Sequence, residues 1–363
     1  MTMNNNDNLT GLRPERFQTL IEGHKTDLYV LQNKNGMEVC ITNYGGIVLS
    51  ILAPDSHGEF KNVVIGFDSI DDAILQSNQF YIGAIIGPVA GRVLHGAFCI
   101  NGKTYQLPMN SLPNLLHSGK NGFHTKVWKA KQLSSNQIQL THTHYDGEDG
   151  FPGNILITVM YTLTESNSFR IEYEAVSDQD TLFNPTHHAY FNLAGTGNPT
   201  STIENHKMMI DADFYLPIDE HTNNTGEILT VNNTPFDFRQ YHTIGERIHN
   251  PDIQLQYGHG YDHCFVLRKT TAHELSHAAT CISPECGRKM DVYTTEPGLI
   301  MYTGNYLPGI RGMHDTSYPR RSALCLETQC FPDTPQNPYF PDILLKKGEI
   351  YNQVSIYQFS IVS

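Results

Sequence analysis

The sequence lacks the patterns that would place the protein in a membrane, outside the cell or on a nucleic acid. No apolar run approaches the roughly twenty residues that a helix needs to cross a bilayer. The first ten residues are polar and have neither the charged start nor the apolar stretch of a signal peptide. Basic residues are few, since 24 Lys and Arg against 37 Asp and Glu give a formal net charge of -13, which is unfavourable on a phosphate backbone. We therefore expect a soluble, cytoplasmic protein that binds neither nucleic acid nor membranes.

Cysteine pairs and nucleotide-binding loops are also missing. The seven cysteines are odd in number, scattered and without a C-x-x-C pair, which excludes a disulfide framework and a zinc knuckle and indicates a reducing compartment. There is no G-x-x-x-x-G-K-[ST] loop, no G-x-G-x-x-G after a strand and no G-x-S-x-G elbow. The sequence therefore predicts no nucleotide and no other cofactor.

Alternating apolar and polar residues recur along the chain and predict β-strands, because successive side chains of a strand point to opposite faces. Turn clusters rich in Gly, Pro, Asn and Asp separate these segments at hairpin-like intervals, too short for crossover helices. The clearest predicted strands are residues 27–33, 37–44, 46–52, 155–163 and 168–176.

Few segments favour a helix. Residues 68–77 predict two or three helical turns, and residues 238–248 predict one or two. Residues 271–280 have helical propensity but lead directly into a hairpin, so we expect a strand there. The last segment, residues 350–362, alternates again, and we expect this terminal strand to close a sheet.

No linker-like change of composition and no short repeat divides the chain. We expect one all-β domain over residues 1–363, a large antiparallel sandwich or barrel with few short helices and a polar lead-in at residues 1–26. In such a fold a ligand cleft takes its side chains from several distant strands and loops.

Two adjacent histidines stand in "NPTHHAYFNL", residues 184–193. If this stretch is extended, His187 and His188 point to opposite sides, so only one of them can face a given site. Adjacency on one straight strand therefore argues against a shared metal ion.

A second histidine pair, His142 and His144 in "THTHYD", would share one strand face. No nearby Cys or Glu-x-x-His supplies further ligands at a recognisable spacing, and the Asp-Gly-Glu-Asp-Gly run that follows lacks the pattern of a calcium loop. A turn explains these residues without an ion, and we expect no metal site.

Three further residues are candidates for chemistry. His117 follows an apolar pair and precedes a flexible Ser-Gly, but a loop histidine can also have no task. Asp262 precedes an apolar strand, where an aspartate often only caps a turn. Glu327 interrupts the apolar strand of "ALCLETQCF", and a carboxylate buried there must be paired or lie in a cleft with a perturbed pKa.

These signals line up with one family. In order, the chain carries "TNYGGIVLSILAPDSHGEFKNVVIGFDS", "GPVAGRVLHGAFCINGKTYQL", "NLLHSGKNGFHTKVW", "YDGEDGFPGNILITVMYTL", "NPTHHAYFNLAG", "GYDHCFVL", "TTEPGLIMYTGN" and "CLETQCFPDTPQNPYFP". From about residue 27 to its end it resembles the aldose 1-epimerases, also called galactose mutarotases. The resemblance implies a large antiparallel β-supersandwich with an open sugar-binding cleft, in agreement with the strand pattern.

The resemblance also implies roles for five residues. Glu327 matches the family's catalytic base, and His188, the histidine before "AYFNL", matches its general acid. His117 matches a second cleft histidine that helps to position the sugar ring. Arg92 and Asp262 match residues that hydrogen-bond sugar hydroxyls. The implied partner is a free monosaccharide.

Some positions depart from the family's pattern. The chain reads Gly87-Pro88-Val89-Ala90-Gly91-Arg92 where G-R-x-A-N-R is usual, so an arginine and a sugar-contacting asparagine are lost. The other departures are Ser118 for a glycine, His187 for an asparagine and Ile300 for a sugar-contacting glutamine. The resemblance therefore implies the reaction and leaves the preferred sugar open.

The implied reaction interconverts the α and β anomers of free aldohexoses such as glucose and galactose. Glu327 would take a proton from the anomeric hydroxyl while His188 gives one to the ring oxygen, and a carboxylate facing an imidazolium would stabilise both charges. Other interpretations are a glycoside hydrolase using Asp262 and Glu327, a sugar-phosphate epimerase, which needs more Arg or Lys in the cleft, and a sugar-binding relative with weak catalysis.

Overall fold

A computed structural model of the protein describes residues 8–197 and 201–362. Strands dominate it, and the chain forms three antiparallel sheets of nine, five and four strands, joined by short two-stranded ribbons. The predicted all-β class, an antiparallel β-supersandwich, is confirmed.

The nine-stranded sheet is the largest unit. Its strands, in spatial order, are Lys129–Ser134, Gln137–His144, Ile155–Leu163, Ser168–Ser177, Ile350–Ile361, Arg288–Thr294, Ser276–Ile282, Lys207–Ile210 and His242–Thr243. The terminal strand Ile350–Ile361 lies inside this sheet, between Ser168–Ser177 and Arg288–Thr294. The expectation that it closes a sheet edge is wrong, since both of its edges are hydrogen-bonded.

The two smaller sheets complete the fold. The five-stranded sheet has the order Leu229–Thr230, Ala212–Tyr215, Asp262–Leu267, Gly298–Tyr302 and Cys325–Gln329. The four-stranded sheet has the order Leu28–Gln32, Glu38–Thr42, Val48–Pro54 and Phe60–Asn62.

The remaining elements are short. The ribbons pair Leu20–Ile21 with His24–Lys25, Ile85–Ile86 with Thr186–His187, Arg92–Val93 with Leu115–Leu116, Ala97–Ile100 with Lys103–Gln106, Thr181–Leu182 with Leu344–Leu345, and Ile310–Arg311 with Ser317–Tyr318. The α-helices are Ile70–Phe80, Ile244–Arg247 and Ile253–Tyr257. The 3-10 turns are Pro14–Arg16, Leu94–Gly96, Gly119–Asn121, Phe123–Thr125, Glu148–Gly150, Met313–Asp315 and Thr334–Gln336.

The predicted helices are only partly matched. Helix Ile70–Phe80 forms where residues 68–77 predicted it, and the Ser69 hydroxyl caps it by accepting from the Asp72 amide. The helix expected within residues 238–248 shrinks to Ile244–Arg247. In the segment 271–280 the predicted strand begins only at Ser276.

Alternation explains how the strands build the core. In Ile155–Leu163 every second side chain, beginning with Ile155, is buried, so one face packs inward. In Glu38–Thr42 every residue is buried, because Val39 and Ile41 join one apolar cluster and Cys40 joins another on the opposite face. That sheet therefore has apolar cover on both sides.

The segment before residue 27 is part of the packed fold, as far as it is described. Leu12 and Phe17 are buried, and the amides of Leu9 and Thr10 donate to the Glu38 carboxylate. These positions lie within the predicted polar lead-in of residues 1–26, of which residues 1–7 lie outside the described part. The extent of a single domain over the whole chain stays a prediction.

Two further features concern the cysteines and the helices. All seven cysteines lie in the described ranges and are free thiols. No helix within residues 8–197 and 201–362 is long and apolar enough to cross a membrane.

Candidate active site

An open cleft lies on one face of the five-stranded sheet. It encloses about 990 Å³ including its mouth, and five predicted site residues line it: Arg92, His117, His188, Asp262 and Glu327. The sheet contributes one face because residues two apart on a strand point the same way. One cross-strand row holds Cys264, Ile300 and Glu327, and the next holds Asp262, Tyr302 and Cys325.

Glu327 lies in the middle of the strand Cys325–Gln329, whose residues are all buried. Its side chain is about 4% exposed. A carboxylate buried this deeply in an apolar strand is costly unless it is paired or lies in a cleft, as the sequence indicated for Glu327. Burial, and then the nearby Asp262 carboxylate, raise the pKa of Glu327 well above its usual range.

His188 reaches the cleft from a different part of the chain. Its backbone is fixed to Gly83 and Ala84, since the His188 amide donates to the Ala84 carbonyl at 2.9 Å and the Gly83 amide donates to the His188 carbonyl at 2.9 Å. The Thr186 hydroxyl donates to the Thr328 carbonyl at 2.9 Å, which ties this segment to the strand of Glu327. His188 therefore stands opposite Glu327.

The two side chains face each other directly. His188 Nε2 lies 3.5 Å from Glu327 Oε1, and both side chains are almost fully buried. Burial lowers the pKa of His188 to about 4, while it raises the pKa of Glu327. The mutual stabilisation expected for a carboxylate and an imidazolium is outweighed here by desolvation, which favours the neutral form of each group.

Cys325 and Tyr190 hold the imidazole of His188 in place. The Cys325 sulfur lies 3.4 Å from His188 Nδ1, and the Tyr190 ring stacks on His188 with centroids 5.0 Å apart. Burial raises the pKa of the Cys325 thiol, so the sulfur stays neutral and can accept the Nδ1–H of His188. In that arrangement the ring proton of a neutral His188 is on Nδ1, and the Nε2 lone pair faces Glu327.

A ribbon brings His117 and Arg92 together. Leu116 pairs with Arg92, and beyond this pair the His117 amide donates to the Gly91 carbonyl at 2.9 Å. The Gly91 amide donates in return to His117 Nδ1 at 3.1 Å, so the ring proton of a neutral His117 is on Nε2. Burial lowers the pKa of His117 well below its usual value, and His117 can therefore act as a neutral hydrogen-bond donor.

Asp262 begins the strand Asp262–Leu267 and is half-buried in the cleft wall. Burial raises its pKa to about 6, and the Arg92 guanidinium pulls that pKa down. One Arg92 nitrogen, Nε, is buried without a hydrogen-bond partner among the described residues. Arg92 and Asp262 thus offer a donor and an acceptor to a polyhydroxylated ligand.

The structure accounts for two of the departures from the family's pattern, Gly91 and Ser118, which both lie next to His117. Gly91 has a positive φ of 74°, and a Cβ there would lie 3.1 Å from the Pro332 Cβ. Ser118, also left-handed at φ 62°, uses its hydroxyl to accept from the Val89 amide at 2.7 Å and to donate to the Val89 carbonyl at 2.9 Å. Ser118 therefore fastens this loop to the backbone that leads to Arg92.

The remaining departures differ in their effect. Ile300 gives the cleft an apolar wall beside Glu327. The Pro88 carbonyl accepts from the Asn184 amide at 2.8 Å and stays outside the cleft lining. His187 points away from His188, as the alternation predicted, and packs edge-on against Tyr161 at 5.7 Å. Nothing in these contacts explains why a histidine stands there.

Sequence reasoning missed the aromatic wall of the cleft. Tyr81, at the left-handed end of helix Ile70–Phe80, contacts the His117 ring edge-on at 4.6 Å and stacks on His188 at 6.1 Å. Tyr302 comes from the strand next to Glu327. Both residues stand in stretches of the sequence where an aromatic side chain is usually part of the core. Only the fold shows that they line the cleft.

His142 and His144 lie outside this cleft. They share one face of the strand Gln137–His144, as the alternation predicted, and approach Glu148 of the following turn.

Comparisons with known proteins agree with this architecture. A profile of the aldose 1-epimerase family matches residues 27–358. The galactose mutarotase of Bos taurus is 38% identical over 330 residues, which cover 90% of this chain and 92% of that protein. The aldose 1-epimerase of Escherichia coli K12 is 34% identical over 341 residues, covering 93% and 96%.

Solved structures give the same result at the level of the fold. An aldose epimerase homologue from C. elegans superposes with a TM-score of 0.85 at 28% identity, covering 93% of this chain and 100% of that one. The galactose 1-epimerase of Lactobacillus acidophilus NCFM superposes with a TM-score of 0.82 at 28% identity, covering 95% and 97%. By sequence and by fold, the chain belongs to the aldose 1-epimerase family.

Proposed function

We propose that this chain interconverts the α and β anomers of free aldohexoses such as glucose and galactose, with Glu327 as base and His188 as acid. The activity is that of the family to which the chain belongs, and it makes the protein an isomerase. The assignment of the two residues rests on their position, because they face each other across 3.5 Å at the cleft.

Anomer exchange requires two proton transfers. A proton leaves the anomeric hydroxyl and another reaches the ring oxygen, after which the ring opens, the aldehyde turns and the ring closes. When the ring closes the roles are exchanged: His188 takes a proton back and Glu327 gives one up. Both residues return to their starting forms, so the cycle consumes nothing. One positioned acid or base contributes roughly a hundred- to ten-thousand-fold to such a step.

The pKa values of the pair limit how the protons are held. Burial favours a protonated Glu327 and a neutral His188, and the catalytic arrangement needs a carboxylate and an imidazolium. The two arrangements hold the same number of protons and differ only in the position of one exchangeable proton. The working form therefore arises when that proton moves from Glu327 to His188, and hydroxyl groups of a bound sugar that donate to Glu327 favour this transfer.

The other cleft side chains suit sugar hydroxyls. Neutral His117 offers an N–H, Arg92 offers guanidinium N–H groups and Asp262 offers carboxylate oxygens. The rings of Tyr81 and Tyr302 supply apolar surface for the C–H faces of a pyranose. Among the described residues that line the cleft, Arg92 is the one cation, which favours a neutral sugar over a sugar phosphate.

The free thiols support a cytoplasmic location. Five of the seven cysteines are buried, where they serve as small apolar side chains. A reducing compartment keeps such thiols unpaired.

The test is Glu327→Gln, which keeps the volume of the side chain and removes its basicity. We expect the rate of α-galactose and α-glucose anomerisation, followed by polarimetry above the spontaneous rate, to fall roughly a hundred- to ten-thousand-fold. Sugar binding measured by calorimetry should change far less. A variant that binds sugar and anomerises it at near wild-type rates would show that Glu327 is not the base.

The same protein samples separate the other candidate activities. Release of sugar from aryl glycosides would indicate a hydrolase, and we expect none above background. Binding of galactose without any acceleration by the wild-type chain would indicate a sugar-binding relative and overturn the proposal.

A further inference from the structure

A second group of ligating side chains lies on the nine-stranded sheet, outside the sugar cleft. It comprises His142 and His144 of the strand Gln137–His144 and Glu148 of the 3-10 turn Glu148–Gly150. One potential ligand atom from each residue lies within 4.8 Å of the others. The turn brings Glu148 back over the strand end. Glu148 is thus a third potential ligand, which the spacing of the two histidines on the strand did not reveal.

The hydrogen bonds of His144 fix where its lone pair points. His144 Nε2 lies 3.0 Å from the Glu148 carbonyl oxygen, so this nitrogen carries the proton and donates it. Nδ1 then holds a lone pair, has no hydrogen-bond partner in the described part of the chain and lies 3.5 Å from Glu148 Oε2. Two acceptor atoms that face each other at this distance repel; the Lys126 ammonium at Glu148 Oε1 offsets part of this repulsion, and a cation bound by both acceptors would remove it.

His142 adds a further unpartnered ring nitrogen. Its Nε2 atom is buried and has no hydrogen-bond partner among the described residues. An imidazole binds a metal ion through an unprotonated ring nitrogen.

The surroundings hold the ligands in place. The Phe123 ring contacts both imidazoles edge-on at 6.0 Å, and the Trp128 ring lies 5.4 Å from His142. The Nε2–H of His144 bound to a backbone carbonyl is the usual outer contact of a metal-binding histidine.

Glu148 is shared with its neighbours. Lys126 contacts Oε1 of Glu148, and the Tyr145 amide donates to Oε2 at 3.2 Å. Oε2 therefore remains available on the side of the imidazoles. His142, Tyr145 and Glu148 line an open groove, which gives an ion a path to the group.

We propose that His142, His144 and Glu148 bind one transition-metal dication of the zinc type, with water completing a tetrahedral shell. Two imidazoles and one carboxylate are the donor set that zinc accepts, whereas calcium and magnesium prefer oxygen alone. The ion would tie the strand end to the turn and would hold the two imidazoles against Phe123, the residue before His124. His124 contacts Tyr81 of the cleft at 4.8 Å, so the site supports the cleft wall and takes no part in the proton transfers.

The test uses untagged protein treated with a chelator and then titrated with Zn²⁺ by calorimetry. We expect one ion per chain, tenfold or more weaker binding in both His142→Asn and Glu148→Gln, and unchanged anomerisation by the metal-free variants. His277→Asn is the matched control, since His277 lies 3.8 Å from Asp291 on another strand of the same sheet. This control should bind Zn²⁺ as the wild type does.

Co²⁺ provides a second readout that does not depend on activity. A tetrahedral nitrogen and oxygen shell gives strong visible absorption, which the Glu148→Gln variant should lose, and thermal unfolding of each metal-free variant shows that it is folded. Because His117, His188 and Glu327 also lie within 4.8 Å of one another, the titration is repeated with saturating galactose and with His188→Asn. Binding lost under either condition, binding retained in the His142→Asn/Glu148→Gln double variant, or no stoichiometric binding would each overturn the proposal.

Discussion

Buried neutral histidines should make this protein lose stability steeply between pH 6.5 and 5. Burial lowers the pKa of His124, His187 and His263 to about 3 and of His142, His188 and His206 to about 4, and it lowers the pKa of His117 well below its usual value. Each folded-state pKa lies below the unfolded value of 6.5. Unfolding therefore takes up protons, and the stability that is fully present above pH 6.5 is lost as the pH falls toward the folded pKa.

Buried carboxyl groups oppose this loss. Burial raises the pKa of Asp262 and Asp333 to about 6, of Glu296 to about 7 and of Glu327 well above its usual range. Such groups bind a proton in the folded state first, so they stabilise the fold as the pH falls. Seven histidines less four carboxyl groups leave three net protons, and at about 1.4 kcal/mol per proton and pH unit the loss is about 6 kcal/mol between pH 6.5 and 5.

Urea unfolding at a series of pH values measures this loss. His206 isolates one proton, because it lies outside the cleft lining and its Nε2 accepts from the Leu193 amide at 3.0 Å, which a glutamine oxygen can replace. The His206→Gln variant should lose about 1.4 kcal/mol per pH unit less than wild type near pH 5. His57→Gln, at an exposed position, is the control and should follow the wild type. A free energy of unfolding that stays level or rises toward pH 5 would refute the reasoning.

Substitutions at four positions test the cleft. His188→Asn should lower the anomerisation rate at least roughly a hundred-fold, whereas His187→Asn should keep it within a few-fold; equal losses in polarimetry would mean that the wrong histidine was assigned. Cys325→Ala removes the contact to His188 Nδ1 and should lower kcat with little change in KM, and Cys325→Ser should restore part of it. Gly91→Ala should raise KM and cost about 1 kcal/mol of stability in urea unfolding, because the backbone is left-handed there; unchanged values would show that the loop is not constrained.

Much of the fold could be predicted from the sequence, because strand alternation is a local signal. Residues 155–163 and 168–176 match the observed strands to within a residue. The position of the terminal strand Ile350–Ile361 inside the sheet was not predictable in this way, since pairing partners far along the chain leave no local pattern. The same limit explains the short helix Ile244–Arg247, whose length depends on packing.

The candidate site followed from two kinds of signal. Glu327 stood out by physics alone, because a carboxylate in an apolar strand needs a reason, and alternation separated His187 from His188. The pairing of His188 with Glu327 came from the family resemblance. Tyr81 was missed because its position depends on how helix Ile70–Phe80 ends. Glu148 was missed because a turn brings it back to His144, and no rule of sequence spacing predicts that contact.

The central claim, that Glu327 and His188 act as one proton-transfer pair, is tested most directly by a double-variant cycle. Anomerisation rates of galactose are measured for the wild type, Glu327→Gln, His188→Asn and the combined variant, each shown to be folded. Groups that act as a unit are strongly non-additive, so the combined variant should be about as slow as the slower single variant. Losses that multiply across the two positions would contradict the account.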